Sequence, residues 1–273
     1  MSQREKIKML PRKILTLLLT ISLVVSSSTV ATAGHSWGSY HWAITAKPFT
    51  LKLGDNLSTN WKPFLGEAST QWSASDVLDT SIVPGAKKGN CGAVSGRVEV
   101  CNARYGSNGW LGIASIWLSG SHITQGSVKL NDSYFDTSTY NKDPWRRLVM
   151  CQEVGHTFGL GHTNEIMTNV NDGTCMDYTN SPAGGGTFGL SNERPNSHDF
   201  DQLRSIYGHL DSTTTIKSTT SSVGKSIVES FNDPSSWGQS IGHKDSRGRS
   251  SHFELDLGNG EKLFTFVIWA DNN

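Results

Sequence analysis

The run at residues 151–162 constrains this chain more than any other: C-Q-E-V-G-H-T-F-G-L-G-H. From Gln152 it reads Q-E-x-x-H-x-x-G-x-x-H. On a helix, positions i and i+4 lie one turn apart and differ by only about 40° around the axis. Gln152 and His156 therefore point to one side, where both can reach one ion. Glu153 is turned about 100° from Gln152, so its carboxylate can flank that ion without binding it. Gly159 is a weak helix former that readily takes positive φ. It can end the helix and swing the chain so that His162 returns as a third donor, with Gly161 as a second joint. Cys151 falls about 140° from His156 and points away from the ion.

This run differs by one residue from the long zinc-protease signature H-E-x-x-H-x-x-G-x-x-H. Downstream stand C-M-D-Y at 175–178 and D-F-D-Q-L-R-S-I-Y-G at 199–208. With these segments the chain resembles a metzincin zinc metalloprotease of the matrixin-like branch, over residues 41–207. The resemblance implies an α+β fold: a twisted, mainly parallel sheet with an antiparallel edge strand, an active-site helix, a Met-turn and a closing C-terminal helix. It implies Zn2+ held by Gln152, His156 and His162. It makes Glu153 the general base on the metal-bound water and Tyr178 a donor to the oxyanion. Met176 becomes the packed floor beneath the metal.

Gln152 is the departure, because the family has histidine there. The Gln side-chain oxygen sits at the ε position, as does the imidazole nitrogen that binds zinc. The exchange preserves reach and net charge and loses donor strength, so a weaker metal site is expected. His198 falls on the closing helix, distant from the ion. His122, without an evident set of partners, reads as a surface residue.

The run G-W-L-G-I-A-S-I-W at 109–117 resembles the metzincin edge strand, to which a peptide adds as a further strand. Trp61, Phe64, Leu65, Ala68 and Trp72 recur at helical spacing, with Ser58 or Thr59 as cap and Pro63 in the first turn. Asn141 or Asp143 caps the next helix, with Pro144 at its first position. Trp145, Leu148 and Val149 form that helix's buried face, while Arg146 and Arg147 face solvent.

Arg4, Lys6, Lys8, Arg12 and Lys13 precede an apolar run at 14–25 and the small-residue triplet Ala31-Thr32-Ala33. This is a secretory signal, cleaved near Ala33–Gly34. The apolar run is short of the roughly 20 residues of a membrane span, so a secreted, extracellular product without stable membrane insertion is expected. No cysteine-bearing inhibitory segment follows the signal, and latency by that route is not expected. Four cysteines in an exported protein suggest two disulfides. Of three pairings, Cys91–Cys101 and Cys151–Cys175 are expected. The first closes a short loop between strands, and the second ties the start of the 151–162 run to the segment after it. Formal net charge is zero; without a basic excess, nucleic acid is not a partner.

The organisation expected is a signal peptide (1–33), a metzincin-like domain (34–210), a Ser/Thr-rich linker (211–222) and a small β-rich C-terminal segment (223–273). That segment reads as a hairpin about a Gly258-Asn259-Gly260 turn. It is too short for a core of its own and packs on the main domain or on a partner. The function implied is a secreted zinc-dependent metalloendopeptidase acting on a peptide or protein substrate. The alternative, favoured by Gln152, is a weak or inactive metzincin fold that binds peptides or a surface.

Overall fold

A computed structural model of the chain describes residues 34–86, 91–216, 231–245 and 247–271. The chain divides into a first unit, Met1–Thr32, and a second, compact one, Ala33–Asn273. The expected signal peptide, and residues 217–222 of the expected linker, lie outside the described residues. All that follows concerns the second unit. Among the described residues, no helix is long and apolar enough to cross a membrane.

The elements run in the order β1 (His41–Trp42), β2 (Phe49–Asn56), α1 (Lys62–Trp72), β3 (Leu78–Pro84), β4 (Val98–Ala103), β5 (Trp110–Ser119) and β6 (His122–Asn131). Then come α2 (Asp132–Phe135), α3 (Asp143–His156), α4 (Ser197–Ile206), β7 (Gln239–Ser240), β8 (His252–Gly258) and β9 (Glu261–Trp269). The architecture is mixed α+β. One sheet runs β3-β2-β4-β6-β5-β9-β8-β7, with β1 beside β6. Strands β1 to β4 and β6 pair in parallel, joined by the crossovers that parallel strands require. From β5 onward every pairing is antiparallel.

One expectation is overturned here. Strand β5 is not an edge. It pairs with β6 on one side and with β9 on the other, Trp110 opposite Trp269 and Ser119 opposite Glu261. The C-terminal hairpin thus continues the main sheet. Its composition explains why: L-F-T-F-V-I-W at 263–269 is buried on both faces, as a near-continuous apolar strand requires. Phe264, Phe266 and Ile268 join the main core under α1 and α3, while Leu263, Val267 and Trp269 meet Trp110, Trp117, Phe231 and Trp237 on the other face. Asn259 at φ 55° makes the hairpin turn between two glycines.

Helix boundaries differ in small ways. Helix α1 starts at Lys62, with Pro63 in its first turn and no side-chain cap. Helix α3 starts at Asp143 behind Lys142, again without a side-chain cap. Asn141 instead accepts from Arg146 Nη1 at 2.8 Å. Arg146 does not face solvent. It is buried, lies over the Trp61 ring and donates to the Phe135 carbonyl, because α2 and α1 cover that side of α3. Arg147 is partly exposed, between Glu67 and Glu193. Asn196 caps α4 in a reciprocal box with Asp199.

The end of α3 is held by indoles. A helix leaves its last carbonyls without internal partners. Trp37 Nε1 donates to the His156 carbonyl and Trp42 Nε1 to that of Thr157, at 3.2 and 2.8 Å. The Tyr207 hydroxyl takes the Phe158 carbonyl at 2.9 Å. The cysteines pair Cys91–Cys101 and Cys151–Cys175, each with Cα atoms 5.9 Å apart.

Gly155 lets α3 lie against its floor. A Cβ there would come within 2.6 Å of Met176 Sδ and 2.7 Å of the Trp72 ring. Gly155→Ala therefore overpacks a closed core and is expected to cost about 1–3 kcal/mol, read as a lower urea midpoint. An unchanged midpoint would show that the three groups are not in contact.

Candidate functional site

Helix α3 ends at His156 and the chain turns at Gly159, where φ is 100°. Gly161 serves a different purpose from the joint expected of it. Residues 35–37 run beside it, and a Cβ at 161 would meet the His35 carbonyl at 2.9 Å. The Gly161 amide bonds to that carbonyl, and the Trp37 amide to the Gly159 carbonyl. The turn that returns His162 is thus braced by a backbone partner.

Gln152, Glu153 and His156 are fully buried, and the His162 side chain nearly so. Each of the three expected donors is oriented through its other polar atom. Gln152 Nε2 donates to the Cys175 carbonyl at 2.8 Å. His156 Nδ1 lies 2.8 Å from the Leu160 carbonyl and His162 Nδ1 2.9 Å from Glu165 Oε1. Gln152 Oε1, His156 Nε2 and His162 Nε2 are left buried without a hydrogen-bond partner. The two imidazoles meet edge to face, centroids 4.5 Å apart at 88°. Proteins orient metal-binding imidazoles in this way, with the outer nitrogen bonded to a carbonyl or carboxylate. The residues present fit a metal ion: three buried lone-pair donors, otherwise unsatisfied.

Glu153 has both carboxylate oxygens buried and without a hydrogen bond. Burial pushes its pKa well above the ordinary range. The backbone amides of Ile268 and Ala114 pull the other way, without reaching hydrogen-bond geometry. Gly112 on β5 makes room for this side chain, since a Cβ there would lie 2.9 Å from Glu153 Cγ. Burial, then the neighbouring His162, drives His156 well below its usual value, so the ring is neutral. For Glu165, burial works upward but is outweighed by the hydrogen bond and charge of His162 and by the Ser251 hydroxyl, which hold it low.

Met176 is fully buried under α3, and the Cys151–Cys175 disulfide fastens the helix beside it. The Tyr178 ring lies 4.5 Å from His162, and its hydroxyl donates to the Val267 carbonyl. Burial raises the Tyr178 pKa well above normal, with Glu165 and Glu153 adding to it.

The C-terminal hairpin also reaches this centre. Phe266 stacks on His156, centroids 4.2 Å apart at 13°. His252 stacks on the other face of Phe266, at 4.0 Å and 18°. Ser251 Oγ donates to Glu165 Oε1 at 2.6 Å. None of Phe266, His252 or Ser251 was legible as a site residue, because each arrives through strand pairing far along the chain. Glu165 had a local signal, a carboxylate three residues after His162.

Among the described residues, two further groups could hold a metal ion: His35–His198–Asp199 and His41–His122–Asp211. His198 stacks on His35, 4.6 Å between centroids.

No protein-family model matches the chain, and a search of curated proteins returns no match. Among solved structures, one of myroilysin aligns at TM-score 0.37 and 13% identity, covering 64% of this chain and 98% of that one. A crystal structure of myroilysin aligns at TM-score 0.36 and 14% identity, over 63% of this chain and 87% of that one. Likeness at this level bears on neither the site nor its chemistry.

A pH dependence follows from the buried imidazoles. Burial and the neighbouring His162 push His252 down to about 3, against the pull of Glu165. Its unfolded value is about 6.5. A depressed folded pKa gives stability that is full above the unfolded value and is lost as pH falls toward the folded one. In chelator, stability is expected to fall between pH 6.5 and 4.5. His252→Leu should remove roughly 1 kcal/mol per pH unit of that slope, by urea unfolding at each pH. An unaltered slope would mean that the ring is solvated.

Proposed function

We propose that the chain is a secreted zinc-dependent metalloendopeptidase whose cleft is filled by its own C-terminal hairpin. The observation that carries this reading is the set Gln152 Oε1, His156 Nε2 and His162 Nε2, buried and unpartnered, beside the unpartnered carboxylate of Glu153. These three atoms would hold the ion. A zinc ion supplies Lewis acidity toward a scissile carbonyl and eases deprotonation of water.

The protein's own groups do the rest. Glu153, its pKa raised by burial, takes a proton from the attacking water and delivers it to the leaving amine. The Tyr178 hydroxyl, now on the Val267 carbonyl, donates to the oxyanion once that carbonyl leaves. Strand β5 receives the substrate backbone by strand addition. Strand β9, antiparallel along β5 with Phe266 on His156, stands in for that substrate. The closed cleft, together with Gln152, also favours a second reading, a non-catalytic fold that binds an extended peptide.

One experiment separates them. Phe266→Gly in the zinc-loaded full chain removes the ring from His156. Cleavage of a denatured protein should rise at least about tenfold over the unaltered chain, and Glu153→Gln in the same background should lower it by about 10²–10⁴. If the Phe266→Gly chain cleaves nothing yet binds extended peptides, the enzyme reading fails and the binding module stands.

A further inference from the structure

The residues after α4 return to the start of the sheet, and four side chains meet there. His41 opens β1 and His122 opens β6, paired across a parallel ladder. His209 and Asp211 follow α4. Asp211 Oδ1 lies 3.5 Å from His41 Nε2, 3.2 Å from His122 Nε2 and 3.6 Å from His209 Nε2. The Nε2 atoms of His41 and His209 are 3.1 Å apart.

We propose that His41, His122, His209 and Asp211 form a structural zinc site, separate from the Gln152 centre. Zinc bonds to nitrogen and oxygen of about 2.0–2.2 Å at tetrahedral angles put neighbouring donors about 3.3–3.5 Å apart. The separations of Asp211 Oδ1 from the three imidazoles and of His41 from His209, 3.1 to 3.6 Å, bracket that spacing, and the donor atoms of His41, His122 and Asp211 all lie within 4.8 Å of one another. The donors are also oriented for it. His41 Nδ1 lies 2.8 Å from the Ser39 carbonyl, which only accepts, so the proton of the neutral ring is on Nδ1 and the Nε2 lone pair faces the cluster. That outer bond is the usual second partner of a zinc-binding imidazole. Asp211 Oδ2 is taken by the Ile44 amide at 2.8 Å, which leaves Oδ1 inward. Without an ion, one carboxylate oxygen faces three imidazole nitrogens while two of these face each other; one shared cation satisfies all four. Three imidazoles select a borderline transition ion over calcium or magnesium, which take oxygen donors. Four protein ligands close the coordination sphere, which marks a structural site.

The ion would staple three parts of the chain. Asp211 and Thr215 already bond to Ile44 and Ala43 through their backbones, so residues 211–216 pack on β1 and its continuation. Strand β1 in turn follows the segment that braces Gly159 and Gly161.

The test uses the full secreted chain carrying His156→Ala and His162→Ala, which removes two donors of the other centre and makes the outcome independent of the proposed activity. After loading with Zn2+ and dialysis it should retain about one zinc per chain, and Co2+ in its place should give the visible absorption of a tetrahedral site. Adding His122→Ala and His209→Ala should weaken zinc binding on the order of a hundredfold or more. Both side chains are substantially exposed, 34% and 56%, so the fold survives their loss, as circular dichroism would check. If the first variant does not fold, the same two substitutions in the otherwise unaltered chain should remove about one zinc per chain. Zinc content unchanged by His122→Ala and His209→Ala would overturn the proposal, as would a folded first variant that retains none.

Discussion

Strand β5 meets backbone partners along both of its sides, β6 and β9. An exposed edge strand is a row of unpaired N–H and C=O groups that recruits other chains. Here the recruit is the protein's own C-terminus, and what it covers is the floor of the candidate centre. The same pairing that stabilises the sheet brings Phe266 onto His156 and the Val267 carbonyl onto Tyr178. Burying one phenylalanine side chain contributes about 1.5–3 kcal/mol, and β9 buries Phe264 and Ile268 on the same face.

Exclusion of water sets the electrostatics beneath. An isolated charge in such a place is costly, and the groups respond by becoming neutral: His156 moves down and Glu153 up. A cation reverses that logic locally, because a bound ion is the largest charge in its site. Gln152 is neutral without any such shift. Its amide end is anchored on the Cys175 carbonyl, beside the disulfide that joins α3 to the segment carrying Met176.

What could be read from the sequence was local. Helix α3, the turn at Gly159 and the hairpin about Asn259 follow from periodicity and from residues that tolerate positive φ. The nearness of His156 and His162 follows from the end of a helix and one turn. Arg146 was misread because its neighbours Trp61 and Phe135 come from elements whose placement no local pattern gives. His122 looked solitary for the same reason, since His41 and Asp211 reach it from both ends of the main sheet region. The position of β9 was the largest loss. Alternation identifies a strand and which face is apolar, but not its partner, and Ser115 and Thr265 face each other across a long stretch of chain.

That placement bears on how a substrate could ever enter. A strand tethered to its own sheet competes at an effective concentration that reaches millimolar for short flexible links, before any advantage from the packing of Phe266. A free peptide would have to exceed that merely to share the β5 edge equally. Under the proposed reading, raising substrate concentration is therefore a poor way to open the cleft, and cutting or loosening the tether is an effective one. Severing it turns an intramolecular contact into a bimolecular one, and dilution then favours release. The part of the hairpin that faces the second core, around Trp237 and Trp269, opposes that release. It sets how much of the segment must be lost before β5 is again an edge.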